Sequence, residues 1–199
     1  LGCSHHFHFD GVSILSRGGF KTPLGVVPID DEMASALVAR FDNVCPEAHA
    51  DEHSLEVQVP FLQMVLQEGF ELVPVLFGSL PGDFHQAFGH ALAELLDRED
   101  LVVVSTDLSH FMRESAANDI DRHTLDQVLQ RDEFALRQEA ANEKCSMCGL
   151  AAVIAGMSYG NAIQTSRWQL LDYRTSAWAS GDTSRVVGYG AISMEGDAA

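Results

Sequence analysis

The run from Leu101 to Ser105 constrains the fold more than any other stretch. It reads Leu-Val-Val-Val-Ser, and Thr-Asp-Leu-Ser-His follows directly. A continuous β-branched run is typical of a strand that is covered on both faces. Predicted helices and strands alternate around it, which indicates an α/β layered sandwich with a mostly parallel or mixed central sheet. Reactive groups in such folds lie beyond the carboxyl ends of the strands, which makes Asp107 and His110 candidates.

A second predicted strand, residues 1–4, also ends in chemically active side chains. Three histidines follow it, at positions 5, 6 and 8. Imidazole is a common metal ligand and the usual general base near neutral pH. Adjacent residues of an extended chain face opposite sides, so only one of His5 and His6 points into a shared site. We take His5 as the candidate metal ligand and expect His6 and His8 to be supporting or surface groups.

A third candidate is the segment Asp51-Glu52-His53-Ser54, which precedes a predicted helix. Ordinary helix capping accounts for Asp51 and Glu52, since acidic groups are favourable at a helix N-terminus. It does not account for His53, because a cation is unfavourable there. A neutral His53, acting as a metal ligand or a base, fits this position better.

Asp107 and His110 admit three interpretations. Together with a second histidine they are the ligand type for Fe(II), Zn or Mn, with open positions for a substrate. Alternatively, Asp107 orients His110, as a carboxylate orients a catalytic imidazole. The structural alternative is that Asp107 caps a helix and His110 is exposed. The spacing alone does not choose among them.

Composition excludes several classes of protein. Lys and Arg number 12 against 29 Asp and Glu, a formal charge of −17, which disfavours binding to nucleic acid or to an anionic membrane. No apolar run approaches the roughly 18 residues of a membrane span.

Four cysteines are too few for a disulfide framework, so a reducing cytoplasm is expected. Cys145 and Cys148 form a C-x-x-C without a second pair to complete a zinc site; a structural role is favoured over a redox one.

Local patterns predict the remaining elements. Helices are expected from Asp30 or Asp31 to Phe41, at 54–68 with a kink or a broken first turn at Pro60, and at 82–96, 116–130, 133–141 and 148–157. Further strands are expected at 70–77, 169–173 and 186–192. At 199 residues, one domain is the simplest organisation.

Several motifs, taken in order along nearly the whole chain, resemble the Memo family, whose prokaryotic members are called AmmeMemoRadiSam system protein B. They are L-G-x-S-H-H at the start, T-P-L-G at 22–25, D-E-H-S-x-E-x-x-x-P at 51–60, P-V-L-F-G at 74–78, V-V-S-T-D-L-S-H at 103–110, C-G at 148–149 and V-V-G-Y-G-A near the end.

The resemblance implies a fold similar to class III extradiol dioxygenases, which use non-haem Fe(II). For this chain we therefore expect Fe(II) first, with Zn or Cu as alternative metals. By motif, the implied pocket residues are His5, His53, Asp107 and His110, with His53, Asp107 and His110 as candidate catalytic groups. The prokaryotic family name also implies AMMECR1-like and radical-SAM partners. If the protein is a non-catalytic binding protein, the expected ligand of the pocket is a peptide or small molecule. Two family features are not matched: an upstream A-P-H-A-G-Y motif, which we expect to precede this chain, and a pocket cysteine, which residues 173–182 lack. A non-catalytic binding protein is the main alternative function, and a metal-dependent hydrolase is a third.

Overall fold

The computed structural model describes residues 1–42, 45–79 and 83–196, and within these the chain is a mixture of helices and small sheets. The strands are Gly2–Cys3 (β1), Val12–Ile14 (β2), Gly19–Thr22 (β3), Gly25–Pro28 (β4), Val75–Phe77 (β5), His110–Met112 (β6), Arg167–Thr175 (β7) and Val186–Glu195 (β8). The α-helices are Asp31–Arg40 (α1), Val59–Val65 (α2), Phe84–Leu95 (α3), Glu114–Leu129 (α4), Glu133–Ala141 (α5), Leu150–Ala162 (α6) and Ala177–Ser180 (α7). None of the described helices is long and apolar enough to cross a bilayer.

The strands form three small sheets. In the first, β5 lies between β1, to which it is parallel, and β2, to which it is antiparallel. The second is the antiparallel hairpin of β3 and β4. In the third, β8 pairs antiparallel with both β6 and β7. The α/β class is therefore confirmed. Of the two arrangements expected for the central sheet, mostly parallel or mixed, the sheet of β1, β5 and β2 is mixed, and antiparallel pairing predominates among the described strands.

The segment 101–105, the strongest strand pattern in the sequence, forms no strand among the described residues. It does lie beside the start of the chain: the Leu1 nitrogen donates to the Val103 carbonyl at 2.7 Å, and the Ser105 N–H donates to the Leu1 carbonyl at 2.8 Å. A strand needs a ladder of such bonds, and here the pairing is confined to one residue. The predicted strand at 70–77 is likewise shortened to β5.

Most predicted helices are present, with shifts of a few residues at their ends. Asp30 caps α1 by accepting from the Met33 N–H at 2.8 Å, and α5 has its predicted bounds. The helix expected at 54–68 is broken as Pro60 suggested: a 3₁₀ turn, Glu56–Gln58, precedes the short α2. Gly82, the expected first residue of α3, lies outside the described residues.

Helix α6 is the most buried of the described helices and packs closely on α3. The approach depends on Gly89, where an added Cβ would lie 2.4 Å from the Ala155 carbonyl oxygen. On another side, Val104 packs against Gly156, so the segment 101–105 lies directly on α6. The residues that follow each of these segments, Cys148 before α6 and Asp107 after Ser105, are thereby brought together.

Candidate metal centre

Glu52 is the hub of the candidate site. Its side chain is 1% exposed and accepts four hydrogen bonds, from the backbone N–H groups of His5 (2.6 Å), His53 (2.9 Å) and Ser54 (2.8 Å) and from Nδ1 of the His5 ring (2.9 Å). Burial opposes ionisation, but the hydrogen bonds from His5 and Ser54 lower the pKa of Glu52 to about 2. A fully ionised carboxylate therefore joins the first and third candidate segments.

This carboxylate fixes the chemistry of His5. Because Glu52 is an acceptor, Nδ1 of His5 must carry a proton, and the neutral ring therefore has its free lone pair on Nε2. Nε2 lies 3.6 Å from the Cys3 sulfur, on the side away from Glu52. Burial lowers the basicity of His5, but its hydrogen bonds to Glu52 and Cys148 outweigh this effect, so the pKa of His5 is raised.

Two thiols face this nitrogen. Atoms Nε2 of His5 and Sγ of Cys3 and Cys148 all lie within 4.8 Å of one another. A hydrogen bond from the Cys3 thiol lowers the pKa of Cys148 against the effect of burial, and the Asp107 N–H, 3.2 Å from the Cys148 sulfur, acts in the same direction. The pKa of Cys3 is raised in turn, chiefly by that same hydrogen bond. Ionisation of Cys148 alone is therefore favoured over ionisation of both cysteines.

Cys148 is placed by the glycine that follows it. The Gly149 N–H donates to the Thr106 hydroxyl at 2.8 Å, and an added Cβ at Gly149 would lie 2.9 Å from the Ser105 carbonyl oxygen. The Cys148 N–H donates to the Asp107 carbonyl at 3.2 Å. Glycine therefore allows the start of α6 to contact the backbone of 105–107, which positions the thiol.

Asp107 and His110 form a pair beside these groups. Asp107 Oδ2 lies 3.5 Å from His110 Nε2, and both side chains are partly exposed. Burial, and then the charge of Cys148, raise the pKa of Asp107, although His110 and His5 act in the opposite direction. Neither residue is helical, since α4 begins only at Glu114, so the helix-capping interpretation of Asp107 is wrong.

The backbone around His110 is held firmly. The buried carboxylate of Asp121, on α4, accepts from the Ser109 N–H and from the Tyr173 hydroxyl, each at 2.9 Å. Phe111, which directly follows His110, has a φ of 60° within a β-bulge of β6. Strained backbone of this kind often accompanies functional sites and requires support from its surroundings, which Asp121 provides.

His53 lies at the outer edge of the site. Its side chain is 61% exposed, its ring centroid is 5.0 Å from that of His5, and its Nδ1 is 3.4 Å from Glu52 Oε1. His5, Glu52 and His53 form a second group of possible metal ligands. The first group is chemically better, because the hydrogen bonds to Glu52 already occupy its oxygens.

Among the described residues, His5 and His53 belong to groups of possible metal ligands, whereas Asp107 and His110 belong to neither group. Asp107 is joined to the site by its N–H contact with Cys148, and His110 lies beside Asp107. Glu52 is not a helix cap, since the helical turn that follows it begins only at Glu56 and has Leu55 at its N-cap position. Cys148 is not merely a packing residue, and its partner is Cys3 rather than Cys145, which packs in a separate core with Val128 and Leu136. Two sequence signals pointed to these residues: Cys3 lies two positions before His5, on the same side of an extended chain, and Glu52 directly precedes His53.

A large apolar cavity lies next to this site but does not include its ligand atoms. Its volume is about 810 Å³, and it is lined by residues such as Leu37, Leu55, Leu62, Leu92 and Val103. Gln58 and Ser105, which also line it, are hydrogen-bonded to each other at 3.0 Å. Its size is that of a small-molecule pocket.

Comparison with known proteins agrees with the motifs. The sequence profile of the family described as "Memo-like protein" matches residues 1–193. A MEMO1 family protein of Methanopyrus kandleri is 38% identical over 197 residues, covering 96% of this chain and 70% of that protein. Relatives of the same description from Methanobrevibacter smithii and Methanosarcina acetivorans are 36% and 32% identical, covering 95% and 98% of this chain and 68% and 74% of their own lengths. The chain therefore belongs to the Memo-like protein family.

Proposed function

We propose that this protein binds a metal ion through His5 Nε2 and Cys148, with Cys3 as a further ligand, in a pocket of the extradiol dioxygenase type. One observation carries the proposal: the ionised Glu52 holds the proton of His5 on Nδ1, so the free lone pair of Nε2 faces two sulfur atoms. Metal-bound histidines characteristically donate their other ring N–H to a carboxylate in this way. The proposal takes residues 1–199 as one cytoplasmic domain with a layered, dioxygenase-like architecture.

The donor atoms bear on the choice of metal. Resemblance to extradiol dioxygenases favoured Fe(II), but a site with one imidazole and two sulfur donors suits Cu(I) or Zn better. When bound, such an ion supplies Lewis-acid polarisation of a substrate oxygen, phenolic or carbonyl. We therefore rank Cu(I) and Zn ahead of Fe(II) for this donor set.

Three residues would handle protons and substrate beside the metal. Asp107, whose pKa is raised, lies within 3.5 Å of His110, so this pair is suited to hold or pass a proton at His110 Nε2. His53, at the exposed edge, is suited to exchange protons with solvent or to contact the ligand. His53 and His110 are thus proposed as acid/base groups and Asp107 as their orienting partner.

Metal loading tests the proposal. Protein stripped with chelator is loaded anaerobically with Cu(I), Zn or Fe(II), desalted, and analysed for bound metal. We expect about one equivalent of Cu(I) or Zn, lost in His5→Ala and Cys148→Ser and retained in Cys45→Ser, a cysteine outside the cluster. Failure of all three metals to bind the unaltered protein would refute it.

The apolar cavity favours a second candidate function, a non-catalytic protein that binds a peptide or small molecule. On this view the protein acts in a complex with AMMECR1-like and radical-SAM partners. Co-purification of such partners with the His53→Ala variant as efficiently as with the unaltered protein would favour it. A fluorescent dye that binds in the cavity gives a further test. If replacing Leu62 by a larger residue prevents the dye from binding, the cavity is the binding site.

A further inference from the structure

The arrangement of cysteines in space differs from their arrangement in sequence. The sequence pairs Cys145 with Cys148, three residues apart, whereas the structure places the Cys148 sulfur within 4.8 Å of the Cys3 sulfur. Both are free thiols, separated by most of the chain, and each lies at or near the end of an element: Cys3 ends β1 and Cys148 precedes α6. Cys145 packs instead in the core beside Leu136 and Met157.

The two sulfurs differ in access. Cys3 is buried, while Cys148 is partly exposed at the site and receives the Asp107 N–H at 3.2 Å. An N–H donor at this distance stabilises negative charge on sulfur or on an oxygen attached to it. Closing a disulfide requires the two sulfurs, which lie within 4.8 Å of each other, to approach to about 2.05 Å.

We propose that Cys3 and Cys148 are a peroxide-reactive thiol pair that closes to a disulfide. In the first step the Cys148 sulfur attacks hydrogen peroxide: an S–O bond forms, the O–O bond breaks, and the second oxygen leaves as water with the thiol proton. In the second step the Cys3 sulfur attacks the Cys148 sulfur: the S–S bond forms, the S–O bond breaks, and hydroxide leaves as water with the Cys3 proton. The two thiols lose two electrons together, and one peroxide is reduced to two waters.

Closure has a consequence that rests on the proposed metal function. The disulfide removes both sulfurs from the group that contains His5 Nε2, so oxidation and metal binding exclude each other at this site. A bound metal would protect the pair from peroxide, and oxidised protein would not take up metal until it was reduced.

Mass spectrometry tests the thiol pair without any metal. Reduced, metal-free protein is treated with a slight excess of hydrogen peroxide, alkylated with N-ethylmaleimide and digested with trypsin. We expect an intact mass about 2 Da lower before alkylation, loss of two reactive thiols out of four, and a peptide pair joining residues 1–17 to residues 145–167.

Three variants define the partners. Cys145→Ser and Cys45→Ser should keep the cross-link, whereas Cys3→Ser should lose it and accumulate sulfinic acid on Cys148, because no resolving thiol remains. A disulfide within residues 145–167, or oxidation of Cys148 without a cross-link to Cys3, would overturn the inference. Cross-linking that proceeds equally fast after loading with one equivalent of zinc would overturn the metal assignment and leave the thiol pair intact.

Discussion

Replacing Glu52 by glutamine tests the hub of the site. The pKa of Glu52 is lowered from 4.5 to about 2, a difference that corresponds to about 3 kcal/mol of stability at neutral pH. The substitution removes the charge and turns an N–H₂ group toward backbone donors, so we expect Glu52→Gln to unfold with about 2–3 kcal/mol less free energy at pH 7. The melting temperature should fall by roughly 4–12 °C for a chain of this length.

The stability difference between the unaltered protein and Glu52→Gln should decrease as the pH falls. Because the folded-state pKa is depressed, the contribution of Glu52 is complete above pH 4.5 and is lost as the pH falls toward 2. The difference between unaltered protein and variant, measured by urea unfolding, should therefore shrink by about 1.4 kcal/mol for each pH unit below 4.5. Glu56→Gln, the same change at an exposed position four residues on, should differ by less than about 0.5 kcal/mol. Equal stability of Glu52→Gln and the unaltered protein at pH 7, or a difference that does not change with pH, would refute the reasoning.

Three further predictions concern the fold around the site. His85 is 6% exposed, and neither of its ring nitrogens has a hydrogen-bond partner among the residues that the structure describes. Burial lowers the pKa of His85 to about 4, so the unaltered protein should lose up to about 3 kcal/mol of stability as the pH falls from 6.5 to 4. A His85→Phe variant that lacks this loss in urea unfolding would confirm the prediction, and an unchanged slope would contradict it. Gly89→Ala should cost about 1–3 kcal/mol because its Cβ would collide with the Ala155 carbonyl, whereas Gly196→Ala, with open space around it, should be neutral in the same assay. Tyr173→Phe removes one of the donors to buried Asp121 and should cost about 1–3 kcal/mol in thermal unfolding; the exposed Tyr189→Phe is the control, and equal losses in the two would refute the role of this bond.

Local chemistry accounts for what the sequence predicted well. Asp30 caps α1 because its carboxylate reaches the Met33 N–H within the same turn. Pro60 breaks the helix at 54–68 because it lacks an N–H and restricts the preceding residue. His5 and Asp107 followed from their position after strand-like runs, and the contacts around Cys148 place them in one site. For Asp30 and Pro60 the deciding interaction lies within a few residues of the chain, whereas His5 and Asp107 are joined through Cys148, which is distant from both in sequence.

Other features depended on partners far along the chain. The segment 101–105 has an ideal β-branched pattern, yet a strand needs a ladder of backbone hydrogen bonds, and among the described residues its backbone pairs only with Leu1. His85 carries no sequence signal of burial, yet the packing of Phe77 against α3 buries it. Periodicity reports which face of an element is apolar and not which element will cover it.

The features of the candidate site also separate into those that the sequence determined and those that depend on tertiary structure. By itself the sequence determined the histidines, the carboxylate beside His110 and the family, because these are carried by residue types at fixed spacing. Only the tertiary structure decided that Glu52 binds His5 across 47 positions, that Cys148 faces Cys3, and that Asp121 holds Ser109. Hydrogen bonds and thiol contacts form between groups that meet in space, and the sequence does not record which groups will meet. For Cys148 the meeting depends on the close approach of Gly149, at the start of α6, to Ser105 and Thr106.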